Sequence, residues 1–363
     1  LRRLEMHHLP EIPQKGNLSH LRYLMLPWFN NDKFPLYLAP MAGVTDRIFR
    51  SICKELGADV MVTEFVSSEG IIRRDDRTRK YTEFDDEQRP VGVQLFGADG
   101  EKMAEAAKKI LDWKRPDFID INFGCPVKKV VSKNGGSSLL RDCPVLEKVA
   151  SSVVKGIGSQ VPVTGKIRIG WDQESINAVQ VSKILEGSGM QAISIHGRTR
   201  SQSYGGQADW NVIEECAQAV SIPVIGNGDI LTGKDVEHRK KTTAVSGVMI
   251  GRAAMQNPWI FRDAKHYLRT GQQLPPASLE ERWNLIKRHC RQAIDWGRYG
   301  NEQQTLMAMR SRLMAYSKGI PGSKRLRSKL STVVTMADIE NLSIEHMKFH
   351  ENKAAINEPI ALV

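Results

Sequence analysis

The sequence predicts a (β/α)8 TIM barrel followed by a small C-terminal helical bundle, an α/β fold. Short apolar, β-rich runs recur from residue 35 to residue 251, and eight of them can be marked off. Helix-period segments with recognisable caps separate most of these runs, and unusual polar residues collect where the runs end. An open doubly wound sheet fits less well, because it uses fewer strands and carries a nucleotide fingerprint after the first.

The elements follow in order. "PLYLAP" and "ADVMVTEF" open the series as continuous apolar runs, the pattern of parallel strands covered on both faces. "VGVQLFG" leads into "DGEKMAEAAKKILDW", whose apolar residues repeat with helical period. "FIDINFG" follows, then "VPVTGKIRIG" with the helix "DQESINAVQVSKILEGSG", and "AISIHG" with "DWNVIEECAQAV". "IPVIGNG" and "SGVMIG" complete the set, and the barrel is assigned to residues 35–268. After "WIFRDAKHYLRT" the strand pattern stops. "GQQLPPAS" reads as a linker, placed at 269–277, and Ser278 with Glu281 has the spacing of a capping box. Two long helices, "LEERWNLIKRHCRQAIDW" and "NEQQTLMAMRSRLMAYSKG", then define a bundle over 278–350. Residues 1–34 form an unassigned N-terminal extension and 351–363 a tail.

Composition narrows the function. With 363 residues and a formal net charge of +11, the chain favours a polyanionic partner, since Lys and Arg gain affinity by displacing counterions from phosphates. Five cysteines, an odd number without a C-x-x-C pair, give neither a zinc pattern nor a disulfide framework and point to a reducing compartment. Cys53, Cys143, Cys216 and Cys290 read as packing. No apolar run reaches the roughly 18 residues that span a bilayer, and "LRRLEMHHLP" is not followed by a signal-peptide core. A cytoplasmic monomer with no metal and no membrane partner is the expectation.

Two near-motifs fail on context. "GSGMQA" has G-x-G-x-x-A spacing but runs from a helix into a strand, the wrong direction for phosphate on a helix N-terminus. "GDILTGKD" departs from a Walker A loop at Asp235, where a hydroxyl must hold Mg²⁺.

The polar residues at the strand ends carry the functional reading. They are Pro40-Met41-Ala42, Glu64, Gln94, Asn122 with Cys125, Lys166 with Arg168, His196, Asn227-Gly228-Asp229 and Gly251-Arg252. In a barrel these ends converge on the catalytic face, and such groups are costly to bury without a polar partner. Gln94 and Asn122 suit the edge of a flat heteroaromatic ring, and Lys166 suits negative charge developing on it. The backbone of "NGD" and "GR", with Arg252, suits a phosphate. FMN satisfies this inventory. A phosphorylated sugar fits the last two strands but leaves Gln94 and Asn122 unexplained.

"LAPMAGVTDRIFR", "VGVQLFG", "DINFGCPVKKVVSKNGGSSLL", "TGKIRIGW", "ISIHGRTR", "IPVIGNGDI" and "GVMIGRAAMQNPWIF" resemble, in order and spacing, the motifs of the tRNA-dihydrouridine synthases, particularly the bacterial DusB-type branch. The likeness covers roughly residues 35 to 345. One departure is "TTAVSGVMIG", where the family usually has a glycine and an acid before the last strand. The resemblance implies reduction of the uridine C5=C6 bond in tRNA: NADPH (or NADH) reduces FMN, the flavin passes hydride from N5 to C6, and a cysteine protonates C5 from the other face of the base. Cys125 matches that acid. Pro40, Met41, Ala42, Gln94, Lys166, Asn227, Gly228, Asp229, Gly251 and Arg252 match the flavin contacts. Asn122, Arg168 and His196 match uracil-facing positions, and Arg198 and Arg200 are candidates for substrate contact along the RNA backbone.

From Arg310 to Lys329 the chain carries Arg310, Arg312, Lys318, Lys324, Arg325, Arg327 and Lys329 without an acid. A charge run is often a solvated face, but beside a site for a flipped uridine it reads as RNA-binding surface, with Lys128 and Lys129 as further phosphate contacts. Aromatic content of 7% favours shape and phosphate contact over base stacking. The rival enzyme is a flavin barrel acting on a free small molecule, which leaves the basic bundle without a role. The rival non-enzyme is an RNA-binding scaffold, which leaves the polar ring without one.

Overall fold

Eight parallel strands close on themselves in the computed structural model, which describes residues 26–29, 33–73, 76–131, 135–320 and 322–357. Most of the N-terminal extension (1–25 and 30–32), residues 132–134 of the cysteine motif, the side chains of Lys128 and Lys129, and the end of the tail from 358 lie outside the described residues. The barrel strands are β1 (Leu36–Leu38), β2 (Val60–Val62), β3 (Val91–Phe96) and β4 (Phe118–Asn122). They continue as β5 (Val163–Arg168), β6 (Ala192–His196), β7 (Val224–Asn227) and β8 (Gly247–Ile250). Each expected run forms its strand, and β1 pairs with both β2 and β8, which closes the barrel. A short additional strand, Val66–Ser67, pairs in parallel beside the C-terminal end of β3.

The helices are α1 (Arg47–Glu55), α2 (Gly100–Lys114), α3 (Cys143–Ile157), α4 (Ala178–Gly187), α5 (Trp210–Ala219) and α6 (Gly233–Thr242). After β8 come a single turn, α7 (Arg252–Gln256), and α8 (Ile260–Thr270). Asp46, Asp99 and Asp209 cap α1, α2 and α5 by accepting backbone N–H groups of the first turn. The two rejected motifs have ordinary structural roles. Gly187 ends α4, and Asp235 completes a capping box with Thr232 at the start of α6.

Inward-facing side chains divide the barrel into layers. Tyr37, Val60, Phe118, Ala192, Ile225 and Met249 pack with Leu26 and Phe29 into an apolar interior, and the Trp28 indole N–H donates to the Tyr37 hydroxyl at 2.6 Å. Above it lies a polar layer in which Asp120 accepts from Gln94 at 2.6 Å and from Thr164 at 2.6 Å. Strand register then sets the next layer: Asn122 pairs with Lys166, Arg168 with His196, and His196 with Asn227. Partners in register point the same way, so this register alone gathers five polar residues at the C-terminal mouth.

The C-terminal helices are α9 (Leu279–Trp296), α10 (Glu302–Tyr316), α11 (Ser323–Leu330) and α12 (Met336–Asn357). The Ser278–Glu281 capping box forms as expected, with both reciprocal hydrogen bonds in place. Helix α8 persists to Thr270, inside the span expected as linker, and α12 crosses the boundary placed at residue 350. Trp283, Ile286, Cys290, Leu306, Met309 and Leu313 belong to one contiguous apolar cluster with the barrel's outer core, so the bundle packs directly on the barrel. Among the described residues no helix is long and apolar enough to cross a membrane.

Candidate active site

A cavity of about 890 Å³ opens at the C-terminal ends of the strands. Its lining contains five cations, Lys166, Arg168, Arg200, Arg252 and Lys318, against one carboxylate, Asp229, among the described residues. Asp229 accepts from Arg198 at 2.8 and 2.9 Å and from the Ala208 N–H at 2.7 Å, and Arg252 stands 3.6 Å away. These neighbours hold its carboxyl below the usual range against the opposing effect of burial. The cavity is therefore electropositive, and its volume falls within the range of cofactor sites.

The strand ends supply the floor. Lys166 donates to the Asn227 Oδ1 at 3.2 Å, and Asn227 donates to the Met249 carbonyl at 2.7 Å. Burial, with Arg168 nearby, pushes the Lys166 ammonium down to about 8, although Asp120 pulls the other way. Burial and then Lys166, Arg168, Arg198 and Arg252 keep His196 a neutral imidazole. Gly228 adopts φ +130°, and a Cβ there would stand 2.5 Å from the Ala208 Cβ, so only glycine fits this corner.

Cys125 sits where β4 runs out. The Asn122 Oδ1 accepts the N–H of Gly124 at 3.0 Å and of Cys125 at 2.8 Å, folding the chain back over the strand end. Ser137 donates its backbone N–H and its hydroxyl to the Cys125 carbonyl at 3.1 and 2.9 Å. Gly136, at φ +61°, lets that second segment approach, because a Cβ would lie 2.9 Å from the same carbonyl. Cys125 lines the cavity though only 6% exposed, and burial raises its pKa, so it remains a thiol at neutral pH.

Pro40, Met41, Ala42, Asn122, Cys125, Lys166, Arg168, His196, Arg200, Asn227, Gly228, Asp229, Gly251 and Arg252 all line this cavity. Three expectations require correction. Gln94 is fully buried one layer below; it donates to Asp120 and accepts from Asn122 at 2.8 Å, so it orients Asn122 and does not itself face the cavity. Arg198, 2% exposed, is committed to Asp229 and to the carbonyls of Gly205 and Gly206, which removes it from any RNA surface. Arg312, 1% exposed, is ion-paired with Asp46 inside the interface between barrel and bundle.

The rest of the basic run divides. Arg325 and Lys329 share Glu345, Arg310 donates to the Val333 carbonyl, and Lys324 and Arg327 are exposed. Sequence reasoning missed Tyr204, 57% exposed on the cavity rim with the guanidinium of Arg252 4.7 Å from its ring centre. Its one signal is an aromatic beside two glycines in "SYGGQ". Phe65 and Lys318, the latter contributed by the bundle, also line the cavity.

Comparison with known proteins gives a consistent picture. The family model described as Dihydrouridine synthase matches residues 37–353. The tRNA-dihydrouridine synthase B of Pseudomonas aeruginosa is 42% identical over 296 residues, covering 82% of this chain and 87% of that protein. The Pseudomonas putida protein of the same name is 43% identical over 300 residues, with coverage of 82% and 87%. A probable tRNA-dihydrouridine synthase of Rickettsia bellii is 38% identical over 297 residues, with coverage of 82% and 89%.

Proposed function

Because the chain belongs to the dihydrouridine synthase family, we propose that it saturates the C5=C6 bond of uridines in tRNA, with FMN in the barrel mouth and NADPH (or NADH) as reductant. It is an oxidoreductase whose substrate is tRNA. The observation that carries the cofactor assignment is the five-to-one excess of cations over carboxylates in a cavity that also has apolar walls at Met41, Phe65 and Met249. That donor set fits a planar ring bearing a phosphate. Lys166, Asn227 and Met41 would hold the ring, and the backbone of Gly228 and Gly251 with Arg252 would hold the phosphate.

When bound, FMN supplies the hydride that uracil C6 receives. The chain's own residues do the remaining work. Asn122, oriented by Gln94, and Arg168, fixed by the carbonyls of Gly124, Thr199 and Ser203, present donors to the uracil carbonyls. Neutral His196 offers a hydrogen bond without adding charge. Cys125 holds its proton on sulfur and delivers it to C5, a step that needs the acid within hydrogen-bond reach. Tyr204 and Arg200 border the entrance that a flipped nucleotide must pass.

Lys166 gives a pH signature. As the ammonium, it supports negative charge on the ring, and that support is present below its pKa and lost as pH rises through it. The turnover rate with tRNA should therefore decline above pH of about 8, while a profile flat to pH 10 contradicts the role.

Residues 278–350 form the tRNA-binding module, with Lys318 at the cavity and Lys324 and Arg327 outside it. Exchanging Lys324 and Arg327 for Gln should weaken tRNA binding severalfold at 0.15 M salt, and lower the slope of log K against log salt by roughly 1–2. Filter binding over a salt series reads both quantities.

The functional reading is tested anaerobically. NADPH should bleach the flavin absorbance of the holoprotein, and unmodified tRNA should then restore it faster than free uridine does. Restoration by a free pyrimidine alone favours the small-molecule reductase.

A further inference from the structure

The loop Pro40–Thr45, between β1 and α1, lines the cavity through Pro40, Met41, Ala42 and Val44. Its ends are tied into the barrel, where Ala39 donates to the Ile250 carbonyl at 2.9 Å and the Thr45 carbonyl accepts from Arg50 at 2.7 Å. Thr45 Oγ1 accepts the Met41 N–H at 2.9 Å, and Val44 and Thr45 turn back on the Met41 carbonyl at 3.0 Å each. Gly43, at φ +71°, forms its apex. That apex is held from outside: the Gly43 N–H donates to Glu64 Oε1 at 2.6 Å, and Glu64 Oε2 accepts from Arg298 at 2.6 Å.

Arg298 belongs to the bundle. It lies in the turn "GRYG" between α9 and α10, its side chain 5% exposed, with the rings of Tyr81 and Tyr299 4.0 and 5.0 Å from the guanidinium. The adjacent Tyr299 hydroxyl donates to Asp46 at 3.2 Å, immediately after the same loop. A buried pair of this kind is poor adhesive, because desolvation offsets most of its Coulomb gain; what it supplies is fixed geometry. Glu64 bridges two donors, and a neutral amide in its place has one acceptor end and cannot serve both.

We propose that Arg298 is a positioning residue for the cavity loop: through Glu64 it fixes the Gly43 N–H, so the helical bundle completes the ligand cavity of the barrel. The consequence for FMN affinity rests on the flavin reading above; the linkage between bundle and loop does not.

The test uses the full-length protein and the variants R298M, R298K, E64Q and R288Q. The last is a control, because Arg288 joins bundle to barrel through Glu55 at 2.6 Å at a half-exposed site away from the loop. Hydrogen exchange of the 39–46 peptide without cofactor should accelerate tenfold or more in R298M and E64Q and less in R298K. R288Q should match the wild type, and peptides from 283–293 should stay protected in all four. Titration should raise the FMN Kd at least tenfold in R298M and E64Q, with partial rescue in R298K. Unchanged loop exchange in R298M and E64Q, or equal loosening in R288Q, overturns the proposal. The expected exchange pattern in a wild-type chain that binds no FMN upholds the linkage and removes the flavin reading.

Discussion

Replacing Cys125 by Ala should leave a yellow protein that NADPH still bleaches but that makes dihydrouridine at least about 10²-fold more slowly, the usual range for losing a positioned general acid. The thiol borders the cavity without contributing to its charge, and the main-chain bonds that fold its loop come from Asn122 and Ser137, not from the sulfur. Cofactor binding should therefore survive. Burial keeps the sulfur protonated, which suits an acid and distinguishes it from the thiolate of a nucleophile. Ser at this position retains a proton on a weaker acid and should fall between wild type and Ala. A C125A protein with undiminished product yield would remove the sulfur from the chemistry and leave it as packing.

Replacing Arg312 by Met should cost about 3–5 kcal/mol, the range found when one member of a buried pair is removed. Arg312 and Asp46 are both essentially inaccessible, and Asp46 also caps α1 through the Phe49 N–H at 3.0 Å. Burial alone would raise the Asp46 carboxyl, but Arg312, His289 and the cap together hold it well below the usual carboxylate range. A depressed pKa contributes stability that is complete above the unfolded value near about 3.9 and is lost as pH falls through the folded one. The gap between wild type and R312M in urea melts should thus be widest near pH 8 and narrow as pH falls, first as the stranded Asp46 of R312M, raised by burial, takes up a proton, and in stronger acid as the wild-type carboxyl does. Converting Asp46 as well, in D46N/R312M, should recover part of the loss, since no charge is then stranded. An R312M variant within about 1 kcal/mol of wild type would mean that the Arg312–Asp46 pair contributes little to holding the bundle on the barrel.

Strand existence was legible because parallel strands buried on both faces read as continuous apolar runs, and the barrel followed from their number and spacing. Most of the polar ring was legible for a related reason: Lys166, His196 and Asn227 have no place in an apolar interior, so their positions at strand ends marked the mouth. Depth within the barrel was not legible. Gln94 and Asn122 look alike in sequence, yet register puts Gln94 beside Asp120, one layer down, and Asn122 beside Lys166 at the cavity. Nor does a run of basic residues reveal which of them faces water. Arg312 falls on the face of α10 that packs against the barrel, and its partner Asp46 lies 266 residues away. A separation of 234 residues likewise hid Arg298 and Glu64, whose pairing exists only once the bundle has folded back onto the barrel.

On the proposed function, the polar residues gathered at the barrel mouth hold a uridine of tRNA while its C5=C6 bond is reduced. Incubating unmodified tRNA with the protein, FMN and NADPH, and then mapping the nucleotides by mass spectrometry, tests it directly. One or a few uridines should gain two mass units, and none should do so when NADPH is omitted. A tRNA that returns unchanged while NADPH is consumed on free pyrimidines would rule out tRNA as the substrate.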